Sequence, residues 1–446
     1  MVFVNRVWFR WNTVTPKTSK ADSDWHRTDN AGRIFASLQR WQTTSVFRVS
    51  ATLKEPISLR RLEKSLERVL KQMPYFNVLL REGFFWCYFS PNRRNPGIER
   101  DSRYPCNEFR FRKRKSPPFR VRVFHKRIAL EVAHVLTDGT GALTLLQAIL
   151  ADYVGENSDD LFEGAEPGRY GEKIEDAFRK YHRAGLPAME RRERAFQIPG
   201  EREMRGVRHI HTGVFSVSEA LSFAKSHGAT LGEFFIAAYL FSIYEMAADF
   251  SDKKRRRLLR PIRLDVPVNL RTHLPSETMR NFFLPTYPEI DPRLGDYTFE
   301  EVLQIVHYFM KGVLQEKYFL KMIGRNVGAE QNPFLRSVPL FLKNLIVPEI
   351  YTRWNLTQAT SGFSNLGPVS VSERLEAHIE RFDFVPTHPS TRGVSCGMIS
   401  FRERLHVCFN SVLTEPTVER YFFRLLSRMG MHIRLESNQV SSKILI

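Results

Sequence analysis

The sequence predicts an α/β protein built from two lobes. At 446 residues the chain is long for one hydrophobic core, since single domains centre on roughly 100–150 residues. Short apolar runs typical of strands alternate with longer runs of helical periodicity, on both sides of a stretch rich in glycine, proline and charge. That stretch gives the predicted division: residues 1–170 form an N-terminal lobe, residues 171–208 a crossover, and residues 209–446 a C-terminal lobe.

Individual elements follow from local patterns. Apolar residues at helical spacing predict a helix from Ser58 to Met73, with Ser58 as N-cap and Pro74 ending it. Strands are predicted at Val46–Leu53, Phe119–Phe124, Arg127–His134, Ile262–Val268, Ser370–Leu375 and His432–Glu436. Further helices are predicted at Thr140–Tyr153, Glu172–His182, Ser218–His227, Thr230–Ala248, Phe299–Glu316 and Phe334–Tyr351.

Composition restricts the classes of function. The chain has 67 basic and 48 acidic residues, a formal charge of +19, which attracts anions of any kind. The basic runs at 110–115 and 253–257 come without a zinc-finger, RNP or helix-turn-helix signature, so no nucleic-acid partner is predicted and both runs are interpreted as solvated loops. Four scattered cysteines without metal-ligand spacing predict reduced thiols and no metal site.

No targeting or membrane-spanning segment is predicted. The longest uncharged apolar segment, Phe234–Tyr244, is too short to cross a bilayer and predicts a buried helix. The first ten residues contain apolar side chains but no continuous apolar core and no small-residue cleavage site. We therefore expect a cytoplasmic location, and a monomer.

The string from Ala133 to Gly139 carries the strongest chemical signal. His134 falls at the end of a predicted strand, and Asp138-Gly139 at the turn into the next helix. An imidazole with an ordinary pKa near 6.5 suits a general base at neutral pH. Asp138 is placed to fix the turn through an ion pair, and Gly139 lets the chain pass closely without a Cβ clash. A buried carboxylate of this kind needs a cation and is a poor second base.

The His134-x-x-x-Asp138-Gly139 string resembles the active-site motif of the CoA-dependent acyltransferase superfamily, which includes chloramphenicol acetyltransferases, condensation domains and alcohol acetyltransferases. Further agreement lies in Asp265-Val-Pro-Val-Asn269-Leu-Arg271, Met279-Arg280-Asn281-Phe282 and Ser364-Asn365-Leu366-Gly367-Pro368-Val369. The chain is most similar to bacterial alcohol acetyltransferase-type proteins. Ala133 replaces the first histidine of condensation domains, and the Asp-Phe-Gly-Trp-Gly string of plant members is absent.

The resemblance implies two chloramphenicol-acetyltransferase-like lobes, each a mixed sheet flanked by helices, with an active-site tunnel between them. It implies that Arg271 supplies the cation for Asp138, and that the opening segment Trp25–Ala31 lies near the tunnel, where His26 is expected to be structural. The residues with a possible oxyanion-binding or site-lining role are Ser364, Asn365, Asn269 and Asn281.

The predicted function is acyl transfer from a thioester to an alcohol by direct general-base catalysis, with His134 as base. Since the sequence contains no nucleophile motif, no phosphate loop and no metal spacing, no bound cofactor is expected and acyl-CoA is a co-substrate with a small-molecule acceptor. Two alternatives remain: transfer from an acyl group on a carrier protein, which the basic surface would attract, and a catalytically inactive binding protein of the same fold.

Overall fold

The computed structural model describes residues 25–38, 45–107, 109, 111, 115–155, 173–187, 192–249, 260–354, 356–387 and 392–439. The helices are α1 Asn30–Leu38, α2 Leu59–Gln72, α3 Gly139–Val154, α4 Ala177–Lys180, α5 Val217–Ser226, α6 Leu231–Ala248, α7 Phe299–Val313, α8 Glu316–Gln331, α9 Pro333–Ser337, α10 Leu340–Trp354, α11 Glu373–His378 and α12 Thr417–Arg428. The strands are β1 His26–Arg27, β2 Val46–Leu53, β3 Val78–Glu82, β4 Cys87–Pro91, β5 Ile98–Arg100, β6 Phe119–Phe124, β7 Arg127–Ala133, β8 His209–Ser216, β9 Ile262–Asn269, β10 Phe283–Thr286, β11 Glu289–Ile290, β12 Ser361–Pro368, β13 Ile379–Val385, β14 Val394–Phe401, β15 Arg404–Ser411 and β16 Arg434–Ser437.

The first large sheet belongs mostly to the N-terminal half, in the order β13-β2-β7-β6-β5. Strands β6 and β7 form a hairpin whose turn residue His125 adopts φ +52°. Strand β2 pairs antiparallel with β7, from Val46 opposite Ala133 to Thr52 opposite Arg127. Helices α2 and α3 pack together beside this sheet, and Ser58 caps α2 by accepting a hydrogen bond from the Arg61 amide, as predicted. The sheet therefore ends β7 at Ala133, directly before His134.

The second large sheet has the order β10-β9-β12-β14-β15-β8-β16, with β11 also paired to β9. Strand β12 runs parallel to both β9 and β14, whereas β15 lies between β14 and β8 and is antiparallel to both, so the sheet is mixed. Helix α6 packs against α7, α12 and β9 and is buried over most of its length. The architecture is thus the predicted α/β fold with two lobes, each a mixed sheet with helices.

One strand crosses between the halves of the sequence. Strand β13 pairs antiparallel with β2 along its length, which places Ile379–Val385 in the sheet of the N-terminal residues. The predicted C-terminal lobe, residues 209–446, includes β13. The backbone hydrogen bonds of β13 to β2, however, place it in the sheet of the N-terminal residues. The lobe limits at residues 170–171 fall outside the described residues.

Three predicted elements differ from the structure. Ser370–Leu375 was predicted as a strand, but the chain forms α11 there because the Ser372 side chain caps it, accepting from the Leu375 amide at 3.2 Å. The helix predicted at Glu172–His182 is described only as the short α4, which Asp176 caps. The helix predicted at Phe334–Tyr351 is divided into α9 and α10, with Pro339 between them.

Two further observations concern the core. Among the described residues, one helix, α6, is long and apolar enough to cross a membrane, but 67% of it is buried within the protein, as is usual for a core helix. All four cysteines are buried free thiols. Burial raises the pKa of the Cys408 thiol to about 12, so it stays protonated and unreactive near neutral pH.

Candidate active site

His134 lies directly beyond the end of β7, where its amide donates to the Ser45 carbonyl oxygen at 2.9 Å. The imidazole stacks on the Phe35 ring, with centroids 4.8 Å apart and planes at 17°, and contacts the Phe47 ring at 4.5 Å. Phe283 contributes a third ring, with its centroid 5.7 Å away. Aromatic packing thus fixes the plane of the imidazole, and the half-buried ring lines a cavity.

This environment keeps the imidazole neutral. Burial lowers the pKa of His134 to about 4, since an apolar surrounding disfavours the imidazolium. Hydrogen bonding to Asn281 and the Thr137 backbone, together with the negative charge of Asp138, opposes the shift only in part. At pH 7 the imidazole is therefore neutral, and one of its two ring nitrogens has a lone pair that can accept a proton.

Asn281 determines which ring nitrogen carries that lone pair. Its Oδ1 lies 3.4 Å from His134 Nδ1, and its Nδ2 donates to the His134 carbonyl oxygen at 2.9 Å and to Asp29 Oδ2 at 3.2 Å. Because both donors of the amide are directed at oxygens, Oδ1 is the atom that faces the ring, and it accepts from Nδ1–H. The favoured tautomer then leaves Nε2 unprotonated.

Asp29 is the residue that holds this amide in place, and it was not singled out from the sequence. Its carboxylate also accepts from the backbone amides of Gly32 and Asn281. Burial raises the pKa of Asp29 to about 6, while the Gly32 amide, the Arg280 charge and Asn281 partly offset that rise. Asp29 lies 252 positions from Asn281, so no local spacing indicates the contact. The sequence indicated the location of Asp29 only through the resemblance of Trp25–Ala31 to the opening segment of alcohol acetyltransferases, which lies near the active-site tunnel.

Asp138 is a structural carboxylate, and both of its oxygens accept hydrogen bonds. Oδ1 accepts from the Gly141 amide at 3.1 Å and caps α3, while Oδ2 accepts from the Phe282 amide at 2.9 Å and from Arg271 Nη1 at 2.8 Å. Both side chains of the ion pair are largely buried. The structure thus brings together Asp138 and Arg271, and the pair joins the two halves of the sequence across the cavity.

Arg271 is itself held by backbone carbonyl groups. Its Nε donates to Thr278 at 2.9 Å, Nη2 donates to Arg280 at 2.5 Å, and Nη1 also donates to Asn269 Oδ1 at 3.1 Å. Asn269 in turn caps the short 3₁₀ turn that carries Arg271. Asn269 therefore lines the cavity and orients the arginine.

Two glycines allow the motif to pack closely. A Cβ on Gly139 would lie 2.5 Å from Leu366 Cδ2, the end of a movable side chain. A Cβ on Gly141 would overlap the Thr137 hydroxyl and lie 2.5 Å from the Met279 backbone oxygen, which cannot move away so easily. Gly141, which was not singled out from the sequence, is the stricter requirement of the two.

The cavity has a volume of about 370 Å³ and lies between the two sheets. Its walls include the side chains of α1, the His134 turn, β9, β10 and β12. Along β12 the lining residues are Gly362, Ser364, Asn365 and Leu366, so both predicted residues of this strand reach the cavity. Ser364 is half-buried in the wall, whereas Asn365 is exposed and its Oδ1 accepts from the Gly367 amide at 2.8 Å.

Within the described residues no group of three or more His, Cys, Asp or Glu side chains is arranged to hold a metal ion.

His26 is in β1, which pairs with β4. Most of the basic run at 110–115, and all of that at 253–257, lie outside the described residues.

No family model matches the sequence, and no curated protein matches it. Solved structures do share the fold. TRI101 of F. sporotrichioides, solved in complex with coenzyme A and T-2, aligns with a TM-score of 0.61 at 10% identity, covering 93% of this chain and 100% of that chain. The TRI3 trichothecene 15-O-acetyltransferase of Fusarium sporotrichioides aligns with a TM-score of 0.58 at 11% identity, covering 93% and 96%.

A condensation domain, from the monacolin K polyketide synthase MokA, aligns with a TM-score of 0.53 at 13% identity, covering 90% of this chain and 95% of that chain. Both kinds of enzyme therefore match this chain over nearly its whole length. The protein has the fold of the CoA-dependent acyltransferases and condensation domains.

Proposed function

We propose that the protein is an acyltransferase that moves an acyl group from a thioester to an alcohol, with His134 as general base. The observation that carries the proposal is an imidazole in a cavity wall whose Nδ1 lies 3.4 Å from Asn281 Oδ1, an arrangement that leaves Nε2 to accept a proton. A positioned general base contributes on the order of 10²–10⁴-fold in rate.

The proposed reaction balances without a metal or an acyl-enzyme. The acceptor hydroxyl gives its proton to His134 Nε2 while its oxygen bonds to the thioester carbonyl carbon. The tetrahedral intermediate then collapses, the carbon–sulfur bond breaks, and the imidazolium returns the proton to the departing thiolate. Ser364 is the proposed hydrogen-bond donor to the oxyanion, because its hydroxyl lies half-buried in the cavity wall, whereas Asn365, which also lines the cavity, is exposed.

Acyl-CoA is the proposed donor and a small-molecule alcohol the proposed acceptor. The complex of TRI101 with coenzyme A supports this choice, and the formal charge of +19 favours an anionic donor. An acyl group on a carrier protein is the second candidate, since condensation domains share the fold. A cytoplasmic location is proposed because the four buried thiols are unpaired.

The test is thiol release from acyl-CoAs of several chain lengths with a panel of alcohols, for the wild type and the His134→Ala variant. We expect His134→Ala to lower the rate by about 10²–10⁴-fold. The exposed His378 offers a matched control, and His378→Ala should retain full activity. A folded His134→Ala variant that keeps most of its turnover would refute the assignment. Turnover only with carrier-bound donors would favour the second candidate, and turnover with neither would favour a binding protein.

A further inference from the structure

An exposed apolar surface lies apart from the cavity wall. It is formed by the turn between β3 and β4 together with α9 and the first turns of α10, and we call it the apolar face. Its members are Phe84, Phe85, Phe334, Phe341, Leu345 and Ile346, all of them exposed. Phe334 is 83% exposed, Phe341 63% and Leu345 60%. Isolated exposed apolar residues are common, but a group of six large ones on adjoining elements marks an interaction surface.

Hydrogen bonds join the turn to α10. The Leu340 amide at the start of α10 donates to the Phe84 carbonyl oxygen at 2.8 Å, and Lys343 Nζ donates to the Phe85 carbonyl oxygen at 3.1 Å. The Phe84 and Phe85 rings lie edge to face, with centroids 4.7 Å apart. The turn and the helix are therefore one continuous surface.

Two cations lie against the ring of Trp86, the residue after Phe85, and both are engaged: Lys343 is buried and donates to a backbone carbonyl oxygen, and Arg33 pairs with Glu330. Lys343 Nζ is 3.5 Å from the centroid of the Trp86 ring, and the Arg33 guanidinium lies 4.9 Å from the same ring. Arg336, whose neighbour Phe334 belongs to the face, is exposed. Exposed aromatic and aliphatic side chains with an exposed arginine beside them are an arrangement found in proteins that bind at a lipid–water interface.

We propose that the apolar face docks on an anionic lipid surface, with its aromatic and aliphatic side chains inserted at the boundary between headgroups and acyl chains. The formal charge of +19 favours this occupant, because it attracts an anionic bilayer and opposes the approach of a second copy of the chain. Helix α1 connects the face to the cavity: it packs against α10, and its residue Ile34 lines the cavity. Docking itself does not depend on the proposed acyl transfer.

The first test is sedimentation of the full chain with vesicles of phosphatidylcholine alone or mixed with phosphatidylglycerol. We expect binding to the mixed vesicles, weakened by added salt, and a fall of about tenfold in vesicle affinity for the Phe334→Ser/Phe341→Ser/Leu345→Ser variant. The matched control is Phe124→Ser/Leu294→Ser, since both residues are exposed on other elements, and it should bind like the wild type. Equal loss in both variants, equal binding to the two kinds of vesicle, or no binding would overturn the proposal.

The second test reports on the face directly. Because the four native cysteines are buried, a polarity-sensitive dye will label a Leu345→Cys variant at the new thiol. We expect a blue shift of the emission when mixed vesicles are added and none with phosphatidylcholine alone. Emission that is already blue-shifted without vesicles would show that the chain itself, or a second copy, covers the face, and would overturn lipid docking. A concentration-dependent shift without vesicles would identify the second copy.

Discussion

At the scale of single residues, the proposed chemistry depends on the protonation of His134. Its pKa is lowered to about 4 by burial, so the ring becomes protonated only well below the pH at which an exposed histidine does. Activity that needs the neutral base is therefore present above the folded pKa and lost as pH falls through it.

The pH dependence follows from this shift. We expect kcat/KM with an uncharged acceptor to show a partial decline near pH 6, of about the size expected for Asp29→Asn, as Asp29 takes up a proton, and to lose the remaining activity with a midpoint nearer 4 than 6.5 as His134 does. The measurement is a pH series at subsaturating donor and acceptor, with circular dichroism at each pH to exclude unfolding. Complete loss of activity with a midpoint near 6.5 in both the wild type and Asp29→Asn, with the protein still folded, would show that the His134 ring is solvated.

Asp29 gives a second residue-scale prediction. In Asp29→Asn one of the amides now bonded to the carboxylate loses its acceptor, so the Asn281 amide can turn and present Nδ2 to His134, which favours the wrong tautomer. We expect kcat to fall by about tenfold, less than the 10²–10⁴ of losing the base, with KM little changed.

Two controls separate positioning from general damage. Asp176→Asn removes a neighbouring buried carboxylate whose side chain caps α4, and it should leave kcat unchanged. If Asp29 acts through Asn281, the double variant Asp29→Asn/Asn281→Ala should be no slower than Asn281→Ala alone. Additive losses in kcat would contradict the proposed relay.

At the scale of elements, Asp138 joins the first turn of α3 to the segment between β9 and β10. Asp138→Asn keeps the shape and the cap but leaves the largely buried Arg271 without its counter-charge. Breaking one partner of a buried pair costs about 3–5 kcal/mol, so we expect a clear fall in melting temperature together with lower activity. Calorimetry and the thiol-release assay measure the two effects. The exposed Lys71–Glu67 pair is the control, and Glu67→Gln should change neither.

Helix α12 contains a carboxylate that opposes folding at high pH. Glu419 is buried in its first turn, and neither oxygen has a well-formed hydrogen bond among the described residues. Burial raises the pKa of Glu419 to about 7, and the Ser411 hydroxyl, the helix backbone and Arg420 offset this only in part. A raised folded pKa means that the stabilising contribution of the protonated form is present below the unfolded pKa and is lost as pH rises towards 7.

We therefore expect Glu419→Gln to raise the free energy of unfolding relative to the wild type more at pH 8 than at pH 5. The difference approaches about 3 kcal/mol above pH 7, from the shift between the ordinary and folded pKa values. Urea unfolding at the two pH values measures it. A benefit independent of pH would show that the pKa of Glu419 is the same in the folded and the unfolded protein.

At the scale of the whole molecule, direct transfer and the basic surface make a joint prediction. Incubation with acyl-CoA alone should leave no covalent mass increment, because among the described residues that line the cavity no hydroxyl or thiol is hydrogen-bonded to His134. Raising salt should increase the donor KM more than it lowers kcat, since charge pairs at the surface are screened over roughly 8–10 Å. Intact-protein mass spectrometry and a salt series of KM check the two parts. An acyl adduct required for turnover would refute direct transfer, and a KM independent of salt would remove the electrostatic argument for CoA.

The sequence by itself determined the elements whose causes are local. The alternation at Val46–Leu53 and the cap at Ser58 predicted β2 and the start of α2, because side-chain periodicity and capping act within a few residues. The His134 string predicted a strand end followed by a turn into a helix, and the structure has both. The resemblance carried by these strings implied the two-lobed fold. The local pattern gave a wrong prediction at Ser370–Leu375, where the Ser372 cap outweighed the propensity for a strand.

Only the tertiary structure decided which distant groups meet. Strand β13 joins the sheet because the edge of β2 was open to pairing, and the residues of Ile379–Val385 do not by themselves indicate which strand they pair with. The contact of Asp29 with Asn281, and hence the tautomer of His134, depends on burial that removes water and forces each polar group to find a protein partner. The apolar face is exposed for the converse reason: the Phe341 and Leu345 pattern resembles that of a core helix, and only packing shows that no described residue covers it.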